Sequence, residues 1–304
     1  MLALPPGPTI ANVSLLASRS AALVALLGLS ALGCSAELET YSTDADTGST
    51  HALITVQRSR STNGLAERAD ALAGFLQVPA DVESKPLYHL LGLKNPVPGI
   101  GQCRARSAQP EPTPPLSRMG RVELLVVNEV TIGVGGSETV LAPHAFPTVT
   151  DSISGVVYTS RDRSPQAWPP SARYAIHAVS TDAPPIDVES DAPSELEAVT
   201  VGGTPIAEVG DVSLHEPLDV TWAVGAPGDM VVVSLIGADG MTELSCSFRD
   251  DAGAGTVPTS EFAGVGSGRL SLRRLHTQSF SAPGVDVGEI GFDFELGANV
   301  SFSP

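Results

Sequence analysis

Alternation of apolar and polar residues governs the second half of the chain. Leu218, Val220, Trp222 and Val224 fall on one phase, and Asp219, Thr221 and Ala223 on the other. Val231, Val233 and Leu235 repeat the pattern, and Leu244, Cys246 and Phe248 repeat it again, with Ala238-Asp239-Gly240 as the turn between them. Leu270 and Leu272, then Ile290, Phe292, Phe294 and Leu296, and last Val300 and Phe302, complete the series. Period-2 alternation with one apolar face is what a half-solvated antiparallel sheet requires. Upstream, residues 122–132 are rich in β-branched side chains, and 154–159 and 173–179 follow with Pro- and Asp-rich turns between them. Many strands separated by Gly and Pro turns predict a mainly β fold, an antiparallel β-sandwich.

The first half is mixed. Ile54 and Val56 place a strand over residues 52–57. Asn63 then precedes a stretch in which Leu65, Ala69, Leu72 and Leu76 recur at helical spacing, predicting a helix over 64–76 packed on the sheet. Residues 108–115 hold four prolines and read as a semi-rigid extended loop. The body is then either two β lobes, 51–165 and 166–304, or one continuous sandwich with a decorated first half.

The amino-terminal segment departs from this pattern. Residues 21–32 are uncharged and mostly apolar, Arg19 is the single charge before Cys34, and the run stops on that cysteine. A secretory signal has this layout. Ala31-Leu32-Gly33-Cys34 resembles the lipobox of bacterial lipoproteins, with Ala31 and Leu32 exchanged relative to the usual order. The resemblance implies a signal peptide over 1–33 and acyl chains on Cys34, with the membrane as partner and the cell envelope as address. Ser35 avoids the aspartate that retains lipoproteins at the inner membrane of enteric bacteria, which points to the outer membrane. Two chains anchor stably where one does not. Residues 34–50, polar and without apolar period, read as the lipidated tether. Competing readings are ordinary cleavage after Ala36, a transmembrane helix and a buried core helix. The last two fit poorly, because Arg19 interrupts the run and no polar face exists.

A second likeness lies in the last third. Leu218 to Trp222, Asp229 to Val233, Leu244 to Asp251 and Thr256-Val257-Pro258 resemble sandwich domains in uncharacterised lipoproteins of Gram-negative bacteria. That likeness implies architecture and nothing about activity.

Three cysteines are present. With Cys34 acylated, Cys103 and Cys246 remain, and in an oxidising compartment they either pair or stay as two buried thiols. The chain carries 17 basic and 34 acidic residues, a net −17. This argues against nucleic acid as a partner and against adhesion to anionic lipid through a basic surface.

Candidate chemistry is sparse. The histidines at 51, 89, 144, 177, 215 and 276 are widely spaced, and no zinc signature is present, so no metal or cofactor is expected. Gly264 to Gly268 and Gly133 to Ser137 carry the letters of a serine-hydrolase elbow in the wrong register and read as turns. Asp250-Asp251 beside Arg249 reads as a solvated turn, with a calcium loop as the sharper alternative. Trp168 stands as the one candidate exposed aromatic, or else as a loop staple. No catalytic residue is assigned. The expectation is a non-enzymatic binding or structural role with an envelope partner of unknown kind, the alternative being a tethered or secreted hydrolase whose site assembles from distant residues.

Overall fold

The longest alternating stretches of the sequence become the spine of the structure. The computed structural model describes residues 48–304 apart from 63–67, 107–121, 150–152, 162–167 and 182–183. The segment read as a signal peptide, Cys34, most of the stretch read as a tether and the Pro-rich stretch 108–115 lie outside the described residues.

Strands β1 (Ser49–Ser61) and β2 (Arg68–Val78) come first, followed by helix α1 (Ser84–Leu90), β3 (Cys103–Arg106) and β4 (Val122–Leu124). Next come β5 (Glu129–Val134), β6 (Ser137–Val140), β7 (Ala142–Val149) and β8 (Ile153–Thr159), then β9 (Arg173–Val179) and β10 (Ile186–Asp191). Short strands β11 (Thr200–Val201), β12 (Thr204–Pro205), β13 (Asp211–Ser213) and β14 (Leu218–Thr221) lead into β15 (Met230–Gly237), β16 (Glu243–Arg249) and β17 (Ala254–Val257). The chain ends in a long hairpin of β18 (Gly266–Ala282) and β19 (Val285–Ser303).

Eleven strands form one sheet in the order β3-β16-β15-β18-β19-β1-β2-β4-β8-β7, with β13 pairing β19 as well. Two four-stranded sheets, β10-β9-β5-β6 and β12-β11-β14-β17, complete the architecture. The fold is mainly β and sandwich-like, as the alternation predicts. The large sheet is mixed rather than purely antiparallel, because β1 runs parallel to β19, β13 parallel to β19 and β4 parallel to β8.

The β18–β19 hairpin serves two cores. Its Leu270, Leu272, Leu296, Val300 and Phe302 pack with Val201, Val220, Trp222 and Val257 of the β11–β14–β17 side. Further along the same strands, Ile290, Phe292 and Phe294 pack with Val130, Ile132, Tyr174 and Ile176 of the β5–β9 side. The described residues accordingly belong to one compact unit. A cut at 165/166 would separate β1 from its eleven-residue pairing with β19. A third core lies on the opposite face of the large sheet. There Leu53, Leu72, Leu76 and Leu124 meet Leu87 and Leu91 of α1 and its exit.

The helix expected over 64–76 is a strand where it is described. Arg68–Val78 pairs antiparallel with β1 along its whole length and with β4 and β8 on its other side. Being covered on both faces, β2 buries Ala71, Leu72, Ala73, Phe75 and Leu76 in succession. Such a run carries no period-2 signal, and its spacing matches a helix equally well. Conversely, α1 was not foreshadowed; its Pro86 sits in the first turn, where a missing N–H costs nothing. The β-branched stretch 122–132 divides into β4 and β5 rather than forming one strand. Val224 leaves the apolar phase of Val220 and Trp222 and is 62 % exposed, because β14 ends at Thr221.

Candidate functional site

The polar phase of the central strands builds a furrow. On β1, β19, β18 and β15 the residues between the core positions are Gln57 and Ser59, Asp293 and Glu295, Ser271 and Arg273, and Ser234 and Ile236. Strand alternation sends them all to the face opposite the two covering sheets. Helix α1 and its exit cover one part of that face, and Asn95 and Pro96 from this exit overhang what is left open. The resulting concavity of about 450 Å³ is rimmed by Arg68 and Arg161 on one side and by Arg106 and Glu243 on the other.

The floor is a network of paired charges. Arg273 donates to Asp293 through Nε (2.9 Å) and Nη2 (2.5 Å). Burial works against the guanidinium charge, but Asp293 beside it and Glu295 beyond outweigh this and raise its pKa above the ordinary arginine value. Glu295 accepts from Ser271 Oγ at 2.6 Å and pairs with Arg269 at 2.9 Å. Asn95 reaches Asp293 at 3.4 Å. Ser234 and Ser245, opposite each other on β15 and β16, share a 2.6 Å hydrogen bond, and Ser245 donates to Glu243. These floor pairs are only 13–31 % exposed, and the cost of desolvating such charges offsets much of their mutual attraction. What they supply is fixed geometry on strands whose backbone is paired on both sides.

The rim is looser. Arg161 is 62 % exposed and meets Asp70 at 3.0 Å, and Arg106 is 49 % exposed and lies 3.5 Å from Glu243. Arg68 is exposed and makes no ion pair among the described residues. Arg58 also borders the furrow, but its guanidinium is engaged by Glu195 at 3.0 Å.

The residues singled out from sequence go elsewhere. Cys103 and Cys246 face each other across β3 and β16 and form a disulfide, with Cα atoms 4.0 Å apart. The close Cα approach is that of a non-hydrogen-bonded antiparallel pair. Trp168 is not an exposed platform. It is 1 % exposed and stacks on Tyr174 with ring centres 6.1 Å apart. Asp250 is not solvated either, at 0 % exposure; it pairs with Arg274 in the interior, while Asp251 turns outward to Arg249. The two carboxylates therefore share neither a proton nor an ion. Among the described residues no group of three or more His, Cys, Asp or Glu could hold a metal.

The histidines do not converge. His276 Nδ1 lies 2.6 Å from buried Asp229, and His177 Nδ1 2.5 Å from exposed Asp187. His51 is the most enclosed. Its Nδ1 contacts the hydroxyl of Tyr88 on α1, and its Nε2 lies 2.5 Å from Ser49 Oγ. Burial lowers the His51 pKa, with the Asp286 carboxylate opposing, and burial also raises that of Tyr88. A folded-state pKa below the unfolded value near 6.5 means the unfolded chain takes up the proton first. This site therefore adds stability above pH 6.5 and loses it as pH falls through the lowered value. Thermal melts of wild type and His51→Asn between pH 7.5 and 5 should show a shallower acid slope in the variant. Parallel slopes would mean that His51 does not contribute to acid sensitivity.

No protein-family model matches this chain, and no curated protein shows a significant match to it.

Proposed function

We propose that the protein is an exported lipoprotein of the bacterial cell envelope, anchored through acyl chains on Cys34, whose body binds a ligand non-enzymatically through the charged furrow. The observation that carries the binding role is the furrow itself. Its donors and acceptors are set in place by ion pairs on interior strands, and among the described residues neither histidine nor cysteine lines it. Such a surface is suited to recognition, since its polar groups are oriented before a ligand arrives. The apolar run ending at Cys34 supports the anchor, and the acidic balance of the chain favours neither nucleic acid nor anionic lipid as ligand.

Metabolic labelling with an alkyne analogue of palmitate tests the anchor. The wild-type chain should incorporate label and sediment with membranes, and Cys34→Ser should do neither. Label retained by the variant, or wild-type protein found in the cytosol with residues 1–33 intact, would refute it.

A second reading, a tethered hydrolase, is favoured by one observation. Ser49 Oγ, His51 Nε2 and Tyr88 form a hydrogen-bonded chain in which a hydroxyl faces an oriented imidazole. A fluorophosphonate probe separates the two readings. A binding role predicts no adduct on Ser49, and stoichiometric labelling there would favour the hydrolase.

A further inference from the structure

We infer that the ligand of the furrow is an acidic oligosaccharide, a chain of sugar hydroxyls bearing spaced carboxylates; this rests on the binding role proposed above and names its ligand class. Three features converge on that chemistry. The rim offers cations with unspent capacity: Arg68 has no ion-pair partner among the described residues, and Arg106 and Arg161 are about half or more exposed. Guanidinium groups bind carboxylates by donating two parallel hydrogen bonds. The floor offers carboxylates and amides, among them Asp293, Glu295 and Asn95, which take hydrogen bonds from neutral hydroxyls and would repel a further anion. A ligand meeting both zones needs anionic groups for the rim and hydroxyl donors for the floor. An acidic sugar chain carries both.

The alternatives fit less well. A peptide adds to a sheet at an open edge or anchors side chains in apolar pockets. This furrow crosses β15, β18, β19 and β1, which are all interior to the sheet, and among the described residues Ile236 and Pro96 are its only apolar side chains. A dense polyanion would meet the field of a chain at −17, which only a sparsely charged ligand tolerates.

The test uses the full-length chain in detergent and three probes of matched length: an oligogalacturonate, a neutral oligogalactose and polyglutamate. Calorimetric titration should show the oligogalacturonate bound, with affinity falling as salt rises and at least tenfold weaker neutral binding. Arg68→Gln/Arg106→Gln removes two exposed rim charges without setting a carboxylate opposite Glu243. It should weaken oligogalacturonate binding at least tenfold, with the melting curve recorded alongside as the folding control. Equal affinity for the neutral and acidic sugars, or an unaffected double variant, would overturn the ligand class. Polyglutamate bound more tightly than the sugar and lost in the double variant would overturn the glycan while leaving a binding furrow. Silence from all three probes would overturn the furrow as a ligand site, and the palmitate experiment would still decide the anchor independently.

Discussion

Arg274→Met is expected to lower the unfolding free energy by about 3–5 kcal/mol, the usual cost of stripping one partner from a buried ion pair. Arg274 and Asp250 are both within 1 % of complete burial. The guanidinium donates Nη1 to Ser194 O (3.1 Å), Ser194 Oγ (2.7 Å) and Glu195 O (2.8 Å), and Nη2 to Ala223 O (2.6 Å) and Asp250 Oδ1 (2.9 Å). Its Nε lies 2.8 Å from Asp250 Oδ2, an ionic contact whose alignment falls short of a hydrogen bond. The residue thus clips the loop at 194–195 and the turn at 223 to strand β18. Methionine fills the volume but leaves a carboxylate and three carbonyls without a donor. Arg274→Met/Asp250→Leu should recover part of the loss, because it removes the uncompensated charge. Denaturant unfolding of wild type, both single variants and the double variant measures the coupling. A single-variant loss below about 1 kcal/mol would show that the clip is not a structural determinant. The same packing bars side chains from Gly225, where a Cβ would lie 1.9 Å from Asp250 Oδ2 and 3.0 Å from the Arg274 guanidinium.

Cys103→Ser/Cys246→Ser should produce a loss of comparable size by a different route. The bridge spans 143 residues, and the chain-entropy relation assigns a loop of that length about 5 kcal/mol through restriction of the unfolded chain. For a body of this size that corresponds to a fall in Tm of roughly 10–20 °C. The local cost adds to it, since Cys103 lies on an edge strand of four residues whose one strand partner among the described residues is β16. Detaching β3 would also remove Arg106 from the furrow rim. Melting with and without reductant should reproduce the double-serine result, and the reduced protein should bind furrow ligands more weakly. An unchanged Tm on reduction would mean that strand pairing alone seats β3.

Legibility in the sequence followed the solvent. Where one face of a strand meets a core and the other meets water, as in β15, β18 and β19, alternation marks both the strand and its buried side. Ile290, Phe292, Phe294 and Leu296 are all on the core face, and Asp293 and Glu295, on the complementary phase, line the furrow. Where both faces are covered, as in β2, alternation vanished and the helical spacing of Ala69, Leu72 and Leu76 misled. The furrow was half readable. The floor residues of β15, β18 and β19 occupy the polar phase of correctly placed strands, but Arg68 and Asp70 fall in the stretch read as a helix. Nor does anything in the chain state that Arg273 meets Asp293, twenty positions away.

Adjacent Arg273 and Arg274 mark the division. By itself the sequence determined a mainly β body, the apolar phase of its longest strands and a cysteine count that allowed one bridge. Only the tertiary structure decided that one arginine lines an open furrow and its neighbour clips the interior. It likewise decided that Asp250 is buried while Asp251 is not. Local pattern sets which residues share a face, because side chains alternate along a strand. What covers that face is fixed by segments distant in sequence, and burial determines whether a charge is a surface feature or a structural pin.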